Sequence, residues 1–166
     1  MGTRGLYGIR KDGIDKCTYN HWDSYPDYLG RKVLNFCAKH NIKELSKLYD
    51  NIKIVYENEI PTKEQIETCK KLGYANFGVS TGSETDWYCL LRNLQGNFHA
   101  YTDCINNGNK MYMLDYADFK DSPFCEYTYI IDIDNEVLKF QDELEIPFNE
   151  INFDTIDELV NRMDMY

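Results

Sequence analysis

The period of apolar and polar positions changes several times along this chain. Residues 4–10 and 14–20 read as two strands around Lys11-Asp12-Gly13. Asp-Gly supplies the positive backbone angle that a tight hairpin requires, so the chain is predicted to open with one. Leu29, Val33, Phe36 and Cys37 then recur at helical spacing and predict an amphipathic helix from Tyr28 to His40. Ile42, Leu45, Leu48 and Tyr49 predict a second, short helix, and Ile52-Lys53-Ile54-Val55-Tyr56 a strand. Thr62-Lys63-Glu64-Gln65 after Pro61 has the spacing of a capping box, and Gly73 fits the end of that helix. Residues 74–83 are rich in Gly and Ser and read as loop. Trp87, Leu90, Leu91 and Leu94 predict a buried helix stopped by Gly96.

Phe98 to Thr102 is expected to be a strand, followed by a turn at Asn106-Asn107-Gly108-Asn109. Tyr127 to Asp132 and Val137 to Gln141 are β-prone and flank Asp134-Asn135, which predicts a second hairpin. Asp154 is expected to cap a final helix built on Ile156, Leu159, Val160 and Met163. Hairpins interleaved with helices point to the α+β class. The expectation is a single compact domain over residues 1–166, a mainly antiparallel sheet with four or five helices packed on it.

Composition narrows the function classes. A chain of 166 residues can bury a core without metal or disulfide staples. No apolar run reaches the ~18–20 residues of a membrane span. The net charge of −10 argues against direct binding to nucleic-acid phosphates. That charge is segregated: residues 1–75 carry 13 basic and 10 acidic side chains, residues 76–166 carry 5 and 18. Six widely spaced cysteines without a Cys-x-x-Cys pair support neither a zinc ribbon nor a redox motif. With no apolar signal segment at the N-terminus, a reduced, cytoplasmic protein is expected, with no metal and no cofactor.

Two constellations could carry function. From Asp115 onward there are 15 acidic and 3 basic residues, with tyrosines among them. Dense like charge persists only if solvated, paired or useful. A surface of Asp115, Tyr116, Asp118, Asp121, Asp142, Glu143 and Glu145 would suit the basic groove of another protein. The second constellation is Thr3, Arg4, His21, Asp23 and Tyr25. If the second strand continues, Tyr19, His21 and Asp23 share a face, so a carboxylate would orient an imidazole beside an arginine. Such a set could hold a phosphate-bearing ligand or do acid–base work.

Weaker signals are a possible phosphate cradle at Gly78-Val79-Ser80-Thr81-Gly82-Ser83 and a calcium-loop spacing at Asp132, Asp134, Glu136 and Glu143. Cys89 with His99 is a possible nucleophile and base, set against a buried place for the thiol.

Met1-Gly2-Thr3-Arg4-Gly5-Leu6, with Thr18-Tyr19-Asn20-His21-Trp22-Asp23-Ser24-Tyr25-Pro26 and Gly30, resembles a broad group of small phage and prophage proteins. The likeness covers the first 30 residues and extends more loosely through Asp86-Trp87-Tyr88-Cys89-Leu90-Leu91 and Cys125-Glu126-Tyr127. It brings no catalytic residues with it. It implies an accessory protein of a bacterial virus, a class that often acts against host functions, including defence systems. The leading expectation is therefore a non-enzymatic acidic inhibitor of a basic host protein, of which a CRISPR effector is one kind. The alternatives are a small nucleotide-binding protein or enzyme at the Arg4 cluster, and a phage structural or assembly accessory.

Overall fold

The Asp-Gly turn forms as its chemistry demands. In the computed structural model, which describes residues 2–166, Asp12 and Gly13 take φ values of 53° and 72°. They join β1 (Gly5–Lys11) to an antiparallel β2 (Ile14–Asn20). A π-helical turn at Pro26–Gly30 leads into α1 (Arg31–Lys39), then α2 (Ile42–Asn51) and β3 (Ile52–Val55). After α3 (Lys63–Lys71) come α4 (Trp87–Leu90), α5 (Phe98–Asn107) and β4 (Met111–Leu114). The chain ends through β5 (Tyr127–Asp132), β6 (Val137–Phe140), β7 (Leu144–Pro147) and α6 (Ile156–Asp164).

The main sheet runs β2-β1-β5-β6-β7. Its β1–β5 pairing is parallel and the other three are antiparallel, while β3 and β4 form a separate parallel pair. This is an α+β fold with mostly antiparallel strands.

Alternation along the strands divides the sheet into two faces. One face sends Tyr7, Ile9, Tyr129, Ile131, Leu138, Phe140 and Ile146 into a continuous core shared with the helices. Trp87, Leu90, Leu91 and Leu94 lie in that core, as their spacing predicts. The other face carries a small cluster of Leu6, Cys17 and Ile130, partly covered by Tyr116, Phe119 and Cys125. This outer face and its N-terminal end hold most of the candidate residues.

Four expectations change. Phe98–Thr102 is not a strand but the first half of α5. The Asn97 side chain accepts the Ala100 N–H, and Gly108 ends the helix in the left-handed conformation. Aromatic residues there look β-prone, but packing against Tyr7 and Phe36, with ring centroids 5.3 Å from Phe98, decides for helix. The Trp87–Leu94 stretch breaks into α4 and a 3-10 turn at Arg92–Leu94. Strands β4 and β7 are additional; Met111–Leu114 is buried throughout, so no alternation announces it. Thr155, not Asp154, occupies the cap position of α6, and its hydroxyl donates to the Glu150 and Asn152 carbonyls.

Candidate functional site

Two of the acidic candidates, Asp142 and Glu143, line a cleft of about 280 Å³ on the outer face of the sheet. Its floor includes Leu6, Thr128 and Ile130. Lys120, from the 3-10 turn at Ala117–Asp121, lines one wall, and Asp142 and Glu143, from the β6–β7 turn, line another. Asp118 and Asp121 are exposed on that 3-10 turn. Among the described residues, the carboxylates of Asp118, Asp121, Asp142 and Glu143 make no ion pair or side-chain hydrogen bond.

The other acidic candidates are engaged within the fold. Asp115 is half-buried and accepts the Ala117 N–H at 3.1 Å. Tyr116 packs on Tyr19, with centroids 5.5 Å apart, and donates its hydroxyl to Glu57. Burial, then that hydrogen bond, push its hydroxyl well above the usual tyrosine range. Glu145 is exposed on β7 and sits 4.0 Å from Lys139, its cross-strand neighbour.

The cleft is not uniformly acidic, since Arg10, Lys120 and Lys139 also line it. Arg10 is held by Asp15 through two hydrogen bonds and lies 3.7 Å from the buried Asp132. Its charge is therefore largely compensated inside the protein.

The N-terminal candidates divide. The β1–β2 pairing ends at Gly5 and Asn20, so Arg4 and His21 are the first residues beyond it, and the Arg4 guanidinium lies near enough to His21 to act on its charge. The Tyr19 hydroxyl meets His21 Nδ1 at 2.5 Å. A phenol is the stronger acid of the two, so it donates and leaves the imidazole proton on Nε2. Burial first, then the guanidiniums of Arg92 and Arg4, hold the His21 pKa below its ordinary value. Neither guanidinium pairs with a carboxylate among the described residues, although Arg4 lies 5.7 Å over the Phe124 ring.

Asp23 does not join this group. Strand β2 ends at Asn20 and Asp23 takes φ 53°, so strand alternation no longer applies. Its side chain makes no hydrogen bond to His21, and Tyr19 takes that role. Tyr25 is exposed and contributes its carbonyl to the turn that starts the π-helix. Thr3 accepts the Ser24 N–H through its own carbonyl. Sequence reasoning missed Arg92, which is far away in the chain and arrives only through the turn after α4.

The weaker signals resolve into structure. Asp86 accepts the Ser80 and Thr81 hydroxyls and the Tyr88 N–H, so an internal carboxylate fills the supposed phosphate cradle. Asp132 binds Asn135, and Asp134 binds the Asp12 and Gly13 N–H groups, which disperses the calcium-like spacing. No group of three or more His, Cys, Asp or Glu among the described residues is placed to hold a metal. Cys89 is fully buried and donates to the Val79 carbonyl, whereas His99 is exposed on α5. Compared with family models, curated proteins and solved structures, the chain finds no match in any of the three.

Proposed function

We propose that the protein acts by binding another protein, its acidic rim docking on a basic groove in the place of a nucleic acid. The observation that carries this reading is a set of exposed carboxylates without side-chain partners among the described residues: Asp142 and Glu143 line the outer cleft, and Asp118 and Asp121 lie on the 3-10 turn that sends Lys120 into it. Unpaired like charge raises the energy of the isolated protein and is relieved by a cationic surface. The resemblance of the N-terminal 30 residues to phage proteins suggests where such a partner belongs. It would be a host protein that handles nucleic acid, a CRISPR effector or another defence protein among them.

The test is affinity capture from host lysate with the parent and with D142K/E143K/E145K. A specific basic partner should be retained by the parent, released by salt, displaced by nucleic acid and lost by the reversal. Equal retention by the reversed variant overturns the reading. Screening shortens to ~8 Å at physiological ionic strength, so rim contacts should respond strongly to added salt.

A second reading rests on the guanidiniums of Arg4 and Arg92 beside His21, neither of them ion-paired among the described residues, although the Glu126 carboxylate accepts the Arg4 backbone N–H at 2.8 Å. This arrangement suits a small phosphate-bearing ligand. A bound dianion would raise the His21 pKa, which is otherwise held down by burial and the two arginines. Proton NMR titration with inorganic phosphate should show that rise in the parent and not in R4A/R92A. An unmoved His21 removes this second reading.

A further inference from the structure

A groove of about 590 Å³ opens between α1 and the segment from Asn93 to Thr102. That volume falls in the ~300–1,000 Å³ range of small-molecule sites. In a chain of net charge −10, no residue lining this groove carries a carboxyl. Lys32 and Lys39 line it from α1, with Gln95 and His99 also in the lining. Phe98 contributes to the wall, and Phe153, 64% exposed, also borders the opening.

The hydrogen-bond inventory indicates what the groove lacks. Asn97 is engaged through both side-chain atoms, accepting from Ala100 and donating to the Asn93 carbonyl. Gln95 accepts the His21 N–H through Oε1, which leaves its amide Nε2 to donate elsewhere. Lys32 reaches only the Gly96 carbonyl, at 3.5 Å, and the face of Tyr28, at 4.3 Å. Lys39 has no polar partner among the described residues. Asn35 and Asn93 spend their amide nitrogens on backbone carbonyls and keep their side-chain oxygens as acceptors. The unused donors among the lysines and amides are therefore Lys32, Lys39 and Gln95 Nε2; two of the three are cationic, and an anion complements them. About 10 Å of helix separates the two lysines, a span that their flexible side chains can close over a phosphate. The rings of Phe98 and Phe153 offer apolar surface for the rest of such a ligand.

We propose that this groove binds an organic phosphate of nucleotide size, with its phosphate at Lys32 and Lys39 and its base against Phe98 and Phe153. The site uses none of the carboxylates of the acidic rim and neither Arg4 nor Arg92, so it stands apart from both readings above.

Calorimetry on the full chain tests it, using the four common ribonucleoside 5′-monophosphates, ribose 5-phosphate and inorganic phosphate as probes. At least one nucleotide should bind more tightly than ribose 5-phosphate. K32A/K39A should weaken it by about tenfold or more, while K32R/K39R retains most of the affinity. F153A should weaken the nucleotide and leave ribose 5-phosphate unchanged. Circular dichroism should show native folding for every variant, since the substituted lysines and Phe153 lie outside the core. Three results would overturn the assignment: no nucleotide binds, K32A/K39A binds like the parent, or ribose 5-phosphate binds as well as the nucleotides. Loss of binding in R4A/R92A with K32A/K39A unaffected would move the ligand to the His21 cluster and also defeat this proposal.

Discussion

Single residues decide how tightly the first hairpin closes. A Cβ at Gly8 would stand 2.1 Å from the Lys16 carbonyl oxygen and 2.6 Å from the Cys17 Cα. Both are backbone atoms of the paired strand, so they cannot rotate aside. Gly8→Ala should therefore cost about 3 kcal/mol or more, read as a lower urea midpoint. A change below about 0.5 kcal/mol would show that β1 and β2 can separate without penalty. The thiols behave in a similarly local way. All six are free; five are buried and Cys125 is half-buried. Burial pushes Cys125 up to about 11, and Cys37 and Cys69 up to about 12. At pH 8 only about 0.1% of Cys125 would be thiolate. A thiol reagent should modify the folded protein slowly, at Cys125 first, with a rate rising about tenfold per pH unit. Rapid labelling at pH 7, or labelling that survives Cys125→Ser, would contradict this.

At the scale of elements, ends carry as much information as interiors. The stretch from Phe98 is helical because Asn97 caps it and Gly108 releases it, although its aromatic residues favour a strand in isolation. Asn97→Ala should lower stability by about 1 kcal/mol, a loss a strand at that place would not show. The two hairpins also lean on each other. Asp134, from the β5–β6 turn, accepts the Gly13 and Asp12 N–H groups, each at 2.8 Å. Those two bonds hold its pKa below the ordinary carboxylate value. A lowered folded pKa means that the stabilisation is present above the unfolded pKa, near ~3.9. It is lost as pH falls through the lower folded value. Asp134→Ala should melt below the parent at pH 7, and the gap should close towards pH 2. A constant gap across that range would mean that the aspartate acts through packing alone.

Across the whole molecule, charge and core are arranged by different rules. The acidic second half of the chain supplies both β5–β7 of the sheet and the rim of the outer cleft. Its self-repulsion should fall with screening, so the melting temperature should rise as salt increases from about 20 mM to about 500 mM. D142K/E143K/E145K should show a smaller rise and stability at least equal to the parent, which separates a binding defect from a folding defect. A melting temperature indifferent to salt would mean that the carboxylates are already compensated internally. Much of this molecule was legible in local chemistry. The Asp-Gly turn, the capping box at Thr62, the stripe of Trp87, Leu90, Leu91 and Leu94 and the hairpin at Asp134-Asn135 each depend on residues a few positions apart. The sequence by itself thus determined the α+β class, most element positions and the charge division between the halves. Only the tertiary structure decided that β1 pairs in parallel with β5, that Met111–Leu114 is a strand, and that Phe98 starts a helix. It alone brought Arg92 towards His21, gave Asp86 the hydroxyls of the Ser80–Thr81 loop and set Lys32 and Lys39 along one groove. The β1–β5 and β3–β4 pairings and the approach of Arg92 to His21 rest on contacts between residues tens of positions apart, and periodicity, which compares near neighbours, carries no record of such distances. The Asp86 bonds to the Ser80–Thr81 loop are local in the chain but depend on loop geometry that no apolar period encodes.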